Sequence, residues 1–172
     1  GDIALNLIEE KVGLDAKKKV LLIGTGESAA MVAKTLGQKQ IPFSVTSRTI
    51  DRSTNFSQLL GGTPMEFTDV LAGFDKFNII IVATTADYFV IDLQRIKLVM
   101  QEKKKGLLIL DLSEPRAVEE SIMELHGIKL LFRDQVAEIY EENTKLRSGI
   151  VPAVEKIISK ELPILSTSMK RI

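Results

Sequence analysis

Ten residues near the start, Val20-Leu-Leu-Ile-Gly24-Thr25-Gly26-Glu27-Ser28-Ala29, constrain this chain more than any other segment. Four consecutive apolar residues are too few for a helix, and with no polar residue among them a strand there must be covered on both faces. They run directly into two glycines one residue apart, and then into helical spacing from Glu27 to Leu36. This is a strand, a tight turn and a helix start, in the pattern G-x-G-x-x-A. The first glycine permits the turn, the second removes a Cβ so that backbone can approach a pyrophosphate, and the small third residue lets helix pack on strand. The helix amino end then presents unpaired N–H groups and partial positive charge to an anion. A glycine turn without a ligand has the same spacing, so the rest of the chain must decide.

The unit recurs. Asn78 to Ala83 and Leu107 to Leu110 are further short apolar runs, and Asn55 to Leu60 and Leu93 to Gln101 have helical spacing, the latter through Leu93, Ile96, Leu98 and Val99. Weaker strands at Phe43 to Thr46, Met65 to Phe67 and Lys129 to Phe132 bring the expected sheet to about five or six strands. Strands alternating with helices predict a parallel sheet with right-handed crossovers. The expected fold is α/β, a Rossmann-type doubly wound parallel sheet with helices on both faces and a C-terminal helical extension. From Asp134 onward Val136, Ile139 and Tyr140 form one stripe, with Ser148-Gly149 a point of interruption. A second helix is expected from Pro152 to Leu162, with proline at a first helical position. Residues 1–148 are read as the nucleotide-binding domain, including an N-terminal helix, and residues 149–172 as the start of a helical linker or dimerisation region and a tail.

Composition excludes several classes. Apolar residues at 45% and charged residues at 27% match an ordinary globular protein. The 23 basic and 23 acidic side chains leave no net field to draw the chain to nucleic acid or an anionic membrane. No apolar run approaches the ~20 residues a membrane-spanning helix needs, and a cytoplasmic protein is expected. There is no cysteine, hence no thiolate site, and no His/Asp/Glu cluster has metal spacing. The one histidine, His126, precedes Gly127 in an expected turn and is read as loop surface. The lysine triplets Lys17 to Lys19 and Lys103 to Lys105 fall at amino ends of strands, whereas ligands of such sheets bind at carboxyl ends. They are read as solvated strand starts. The chain opens on Gly1 rather than Met and is expected to be a piece of a longer polypeptide.

The end of the second strand names the nucleotide. An NAD site usually places Asp or Glu there for the ribose 2′-hydroxyl, but this chain has Ser47-Arg48-Thr49, and then Arg52. Guanidinium groups pair bidentately with phosphate, so these residues suit a 2′-phosphate and NADPH. The alternative is two ordinary surface arginines at a helix start. The fourth strand ends in Ala83-Thr84-Thr85, small and polar enough for a nicotinamide ribose to lie close, although a plain loop exit reads the same. The fifth ends in Asp111-Leu112-Ser113-Glu114-Pro115-Arg116. These residues either shape the nicotinamide end of the cleft, or Asp111 caps the loop and Arg116 pairs with it.

Taken in order, Gly24-Thr25-Gly26-Glu27-Ser28-Ala29, Ser47-Arg48-Thr49, Ala83-Thr84-Thr85, Asp111 to Arg116 and Gln135 to Asn143 resemble the NADPH-binding middle domain of glutamyl-tRNA reductase. Ser47 stands where that family usually has Asn, Ala29 where it has Gly, and Glu114 at an often apolar position. The resemblance implies cofactor contacts at Gly24, Thr25, Gly26, Glu27, Ser28, Ala29, Ser47, Arg48, Thr49, Arg52, Ala83, Thr84, Thr85, Leu112 and Pro115. It also implies a homodimeric parent that reduces glutamyl-tRNA to glutamate-1-semialdehyde with NADPH, in tetrapyrrole (porphyrin) biosynthesis. In that family a catalytic cysteine lies in a separate amino-terminal domain, which also meets the tRNA. This chain has no cysteine, so no catalytic residue is assigned, and the fragment alone is expected to bind NADPH without reducing anything.

Two other readings remain. A shikimate-dehydrogenase-like oxidoreductase domain also uses an Asn-Arg-Thr-type phosphate site, although the Glu141-Glu142-Asn143 segment argues against it. A non-catalytic nucleotide-sensing module usually keeps an acid where Arg48 stands. Weak self-association through Val154, Ile157 and Ile158 is expected of a truncated dimer-forming helix.

Overall fold

A computed structural model of the chain describes residues 18–100 and 106–150. The expected N-terminal helix, Lys17, Lys103 to Lys105, the Pro152 to Leu162 helix with its self-associating stripe, and the tail all lie outside the described residues. Within them the chain alternates strand and helix: β1 Val20–Ile23, α1 Glu27–Gln38, β2 Phe43–Thr46, α2 Ile50–Leu60, β3 Thr63–Met65, α3 Phe67–Ala72, β4 Ile79–Val82, α4 Leu93–Met100, β5 Leu107–Asp111, β6 Ile128–Phe132 and α5 Arg133–Ile150. Short 3-10 turns occupy Phe74–Lys76 and Glu120–Glu124. The chain divides into two compact units, Gly1–Val136 and Ala137–Ile172. The sheet belongs to the first.

All six strands are parallel, in the order β3-β2-β1-β4-β5-β6. The order reverses between β1 and β4, and a sheet of this kind opens a crevice at the carboxyl ends on either side of that point. Every residue of β1, β4 and β5 is buried, as consecutive apolar residues require. One face of the sheet, with Leu21, Ile23, Ile80, Val82, Ile109 and Leu130, packs on Val70 of α3, Phe74, Ile96 of α4, Val118 and Ile122. The alternate residues Leu22, Ile79, Ile81, Leu108 and Leu110 are buried too, as are Ala29, Val32, Ala33 and Leu36 of α1.

The structure adjusts three expected boundaries and adds one helix. The third strand is Thr63–Met65 and Phe67 already starts α3, so the expected Met65 to Phe67 strand is displaced by two residues. Pro64 disguised it, since proline within a run argues against a strand except at an edge, which is where β3 lies. Helix α2 begins at Ile50, five residues before the apolar spacing starts, because Thr49 caps it: its side chain accepts from the Arg52 N–H. Helix α3 was not anticipated. Ser148-Gly149 does not interrupt α5, which continues to Ile150.

Candidate nucleotide-binding site

The strand register builds the site. Thr46 of β2 pairs with Ile23 of β1, Ile23 with Val82 of β4, Val82 with Asp111 of β5, and Asp111 with Phe132 of β6. These five residues form one row across the carboxyl edge. The next residue of each strand, Ser47, Gly24, Ala83, Leu112 and Arg133, lines a cleft of about 460 Å³, a size usual for ligand sites. Thr25, Gly26, Glu27, Ser28, Arg48, Arg52, Thr84 and Thr85 line it too.

The two glycines of the turn differ in what they answer to. Gly24 has φ +128°, and a Cβ there would lie 1.9 Å from the Ala83 carbonyl oxygen, so the fold itself demands glycine. Gly26 has an ordinary φ of −92°, is exposed, and a Cβ there would meet nothing within 4 Å. Among the described residues no packing requires glycine at position 26, which leaves the turn open to close approach from outside, and Gly26 is the N-cap of α1, which no side chain caps. The first amides of a helix have no intrahelical acceptor, so this end offers free N–H donors to an anion.

At the β2 end of the cleft the guanidinium groups of Arg48 and Arg52 are exposed, and among the described residues neither pairs with a carboxylate. The neighbouring hydroxyls are engaged locally. Ser47 Oγ lies 3.1 Å from the Thr49 carbonyl and 3.1 Å from Ser53 Oγ. Thr49 does not line the cleft; its side chain caps α2 instead. Ala29 is fully buried and also lies off the wall, where its small size serves helix packing. Pro115 lies off it as well, in the bend at which the chain leaves the cleft. The other twelve residues expected to contact the cofactor all line the cleft.

On the β4–β5 side the Thr84 N–H donates to Ser113 Oγ at 3.0 Å, and the Ala86 N–H to Thr84 Oγ1 at 3.2 Å. Asp111 is fully buried and accepts from the N–H groups of Ser113, Ala117 and Val118. It therefore caps the loop, but it does not pair with Arg116. The Arg116 guanidinium lies 3.8 Å from the centre of the Phe132 ring and pairs with Glu120 at 3.0 Å and Asp134 at 3.2 Å. Sequence reasoning missed Ile23, Phe67, Tyr88, Val90 and Arg133 as wall residues, whereas Ser113 and Glu114 belong to the segment expected to shape the nicotinamide end of the cleft. Ile23 lies in the register row and Arg133 directly follows it, so both were findable from it. Tyr88 and Val90 depend on the loop path after β4, which no periodicity encodes. His126 is exposed in the turn before β6, at the opposite edge of the sheet. Among the described residues no three His, Cys, Asp or Glu side chains gather as a metal would require, and no helix is long and apolar enough to cross a membrane.

Comparison with known proteins agrees with this architecture. The family model described as shikimate / quinate 5-dehydrogenase matches residues 6–139. The glutamyl-tRNA reductase of Cenarchaeum symbiosum (strain A) is 43% identical over 172 residues, covering 100% of this chain and 41% of that protein. That of Methanothrix thermoacetophila is 33% identical over 172 residues, covering 99% and 41%. Among solved structures, glutamyl-tRNA reductase from Methanopyrus kandleri superposes with a TM-score of 0.76 at 28% identity, over 98% of this chain and 43% of that one. The nucleotide binding domain of the Thermoplasma volcanium enzyme superposes at 0.62 and 21% identity, over 86% and 94%, a likeness of fold. The chain thus spans about two fifths of the length of the curated relatives it matches.

Proposed function

The chain belongs to the shikimate / quinate 5-dehydrogenase family, and from that premise we propose that it is the NADPH-binding domain of a glutamyl-tRNA reductase. The family has a dehydrogenase nucleotide-binding fold, which calls for a pyridine nucleotide. The observation that carries the phosphorylated form is the pair Arg48 and Arg52 on the cleft wall beyond β2. Among the described residues the acids on the wall, Glu27 and Glu114, belong to other segments. Phosphate oxygens pair with guanidinium through charge-assisted bonds, whereas a bare 2′-hydroxyl is better held by a carboxylate. In this reading the pyrophosphate lies over Gly26 and the free amides of α1, and the nicotinamide half extends along Thr84, Thr85, Leu112 and Ser113. NADPH, when bound, supplies a hydride; the chain's own residues bind and orient it.

Relatives named glutamyl-tRNA reductase match the whole chain, including residues beyond the family model, and this favours that parent over a shikimate dehydrogenase. The parent's reduction of glutamyl-tRNA, its tRNA contact and its dimerisation belong to this proposal, as does the division into residues 1–148 and 149–172. The test is a calorimetric titration of the chain with NADPH and NADH, repeated with Arg48→Ala. NADPH is expected to bind at least tenfold more tightly, about 1.4 kcal/mol, and the variant to lose that preference. Equal affinity of the wild-type chain for both cofactors would instead favour a nucleotide-sensing module.

A further inference from the structure

One buried carboxylate lies behind the β5 side of the cleft, across the switch point from Arg48 and Arg52. Asp111 Oδ1 accepts from the Ser113 N–H at 3.0 Å, and Oδ2 from the N–H groups of Ala117 at 2.7 Å and Val118 at 2.9 Å. Among the described residues no cation pairs with it. Three backbone amides therefore compensate a charge that burial would otherwise make costly. Those amides carry the wall: Leu112, Ser113 and Glu114 line the cleft, and Ser113 Oγ receives the Thr84 N–H of the neighbouring loop. The Ala117 carbonyl accepts from the Val90 N–H at 2.8 Å, and Val118 bridges Ile91. Asp111, which does not itself line the cleft, thus braces the β5 loop that Ser113 and Ala117 join to the loop after β4.

We propose that Asp111 is a positioning residue for the nicotinamide half of the dinucleotide, acting through Ser113 and Thr84; this rests on the nucleotide reading above. Asparagine has the same size but only one acceptor oxygen. Placed on Ala117 and Val118, that oxygen leaves the asparagine NH2 facing the Ser113 N–H, donor against donor. The disturbance then falls on a wall residue, not on the glycine turn or on the arginines.

The test titrates the 172-residue chain and its Asp111→Asn variant with NADPH and with adenosine 2′,5′-bisphosphate, which carries the 2′-phosphate but no nicotinamide. The variant is expected to weaken NADPH by about tenfold or more while holding the bisphosphate within about twofold, because a buried donor has lost its acceptor only on the nicotinamide side. The fluorescence change of the reduced nicotinamide on binding should shrink in parallel. Unchanged NADPH affinity, or equal losses for both ligands, overturns the assignment. If Asp111→Asn does not fold, Ser113→Ala decides. It keeps the Ala117 and Val118 bonds and removes the acceptor of the Thr84 N–H, so the same split, smaller in size, is expected, and wild-type binding of both ligands overturns the proposal. A wild-type chain that binds neither ligand fails the nucleotide reading first, and the assignment falls with it.

Discussion

At the scale of the residue, the two glycines of one turn are held for opposite reasons, and this separates fold from function experimentally. We predict that Gly24→Ala costs about 3 kcal/mol or more, since its Cβ would collide with the Ala83 carbonyl and its φ is left-handed. Gly26→Ala should cost less than about 1 kcal/mol, the penalty for a poorer N-cap, yet weaken NADPH markedly. Denaturant midpoints and nucleotide titrations of both variants check this; a Gly26→Ala chain that binds NADPH as well as wild type would remove the pyrophosphate from that helix end. The sequence pattern treats the two glycines alike as parts of one motif. The Ala83 carbonyl, just past the end of β4 and nearly sixty residues away, and the left-handed φ of Gly24 tell them apart. The same limit applies to Thr49 and Arg116. Motif position draws Thr49 toward the phosphate, but local geometry spends its hydroxyl on capping. Arg116 lies close in sequence to Asp111, yet its partners come from Glu120, Phe132 and Asp134.

At the scale of the element, legibility followed burial. Strands β1, β4 and β5 are central and apolar throughout, and their sequence shows it directly. The edge strand β3 is three residues long and half-exposed, with proline at its centre, so its signal is weak and its expected position slipped. Helix α3 has only six residues and no side-chain cap at Glu66, which leaves nothing for a periodicity to register. A buried hydroxyl reinforces the backbone ladder at this edge: Thr46 Oγ1 donates to the Met65 carbonyl at 2.8 Å, and Thr46 is fully buried. Thr46→Val keeps the shape and removes that donor. We expect a loss of about 1–2 kcal/mol in a denaturant titration, with faster amide exchange confined to β2 and β3. A variant as stable as wild type would mean that water or repacking satisfies the Met65 carbonyl without help. The surface ion pairs of Arg116 and Arg133 are exposed and contribute little by comparison.

At the scale of the whole molecule, the function follows from where the sheet reverses. The order β3-β2-β1-β4-β5-β6 places the glycine turn at the switch point, the arginines to one side and the Asp111-braced loops to the other. A ligand lying across this edge meets, in sequence, cationic side chains, a bare helix end and a small polar wall. This is the chemical order of a phosphorylated adenosine, a pyrophosphate and a nicotinamide riboside. Alternation of strand and helix makes the architecture readable from the sequence, because buried parallel strands admit few topologies. The reacting partner was not readable in the same way, and the chain spans only about two fifths of its curated relatives. The most direct measurement is therefore a crystal structure of the 172-residue chain with NADPH. The account predicts the 2′-phosphate within hydrogen-bonding distance of Arg48 or Arg52, the pyrophosphate against the amides that follow Gly26, and the nicotinamide beside Thr84 and Ser113. A nucleotide bound in the reverse direction, or with its 2′-phosphate away from both arginines, would contradict it.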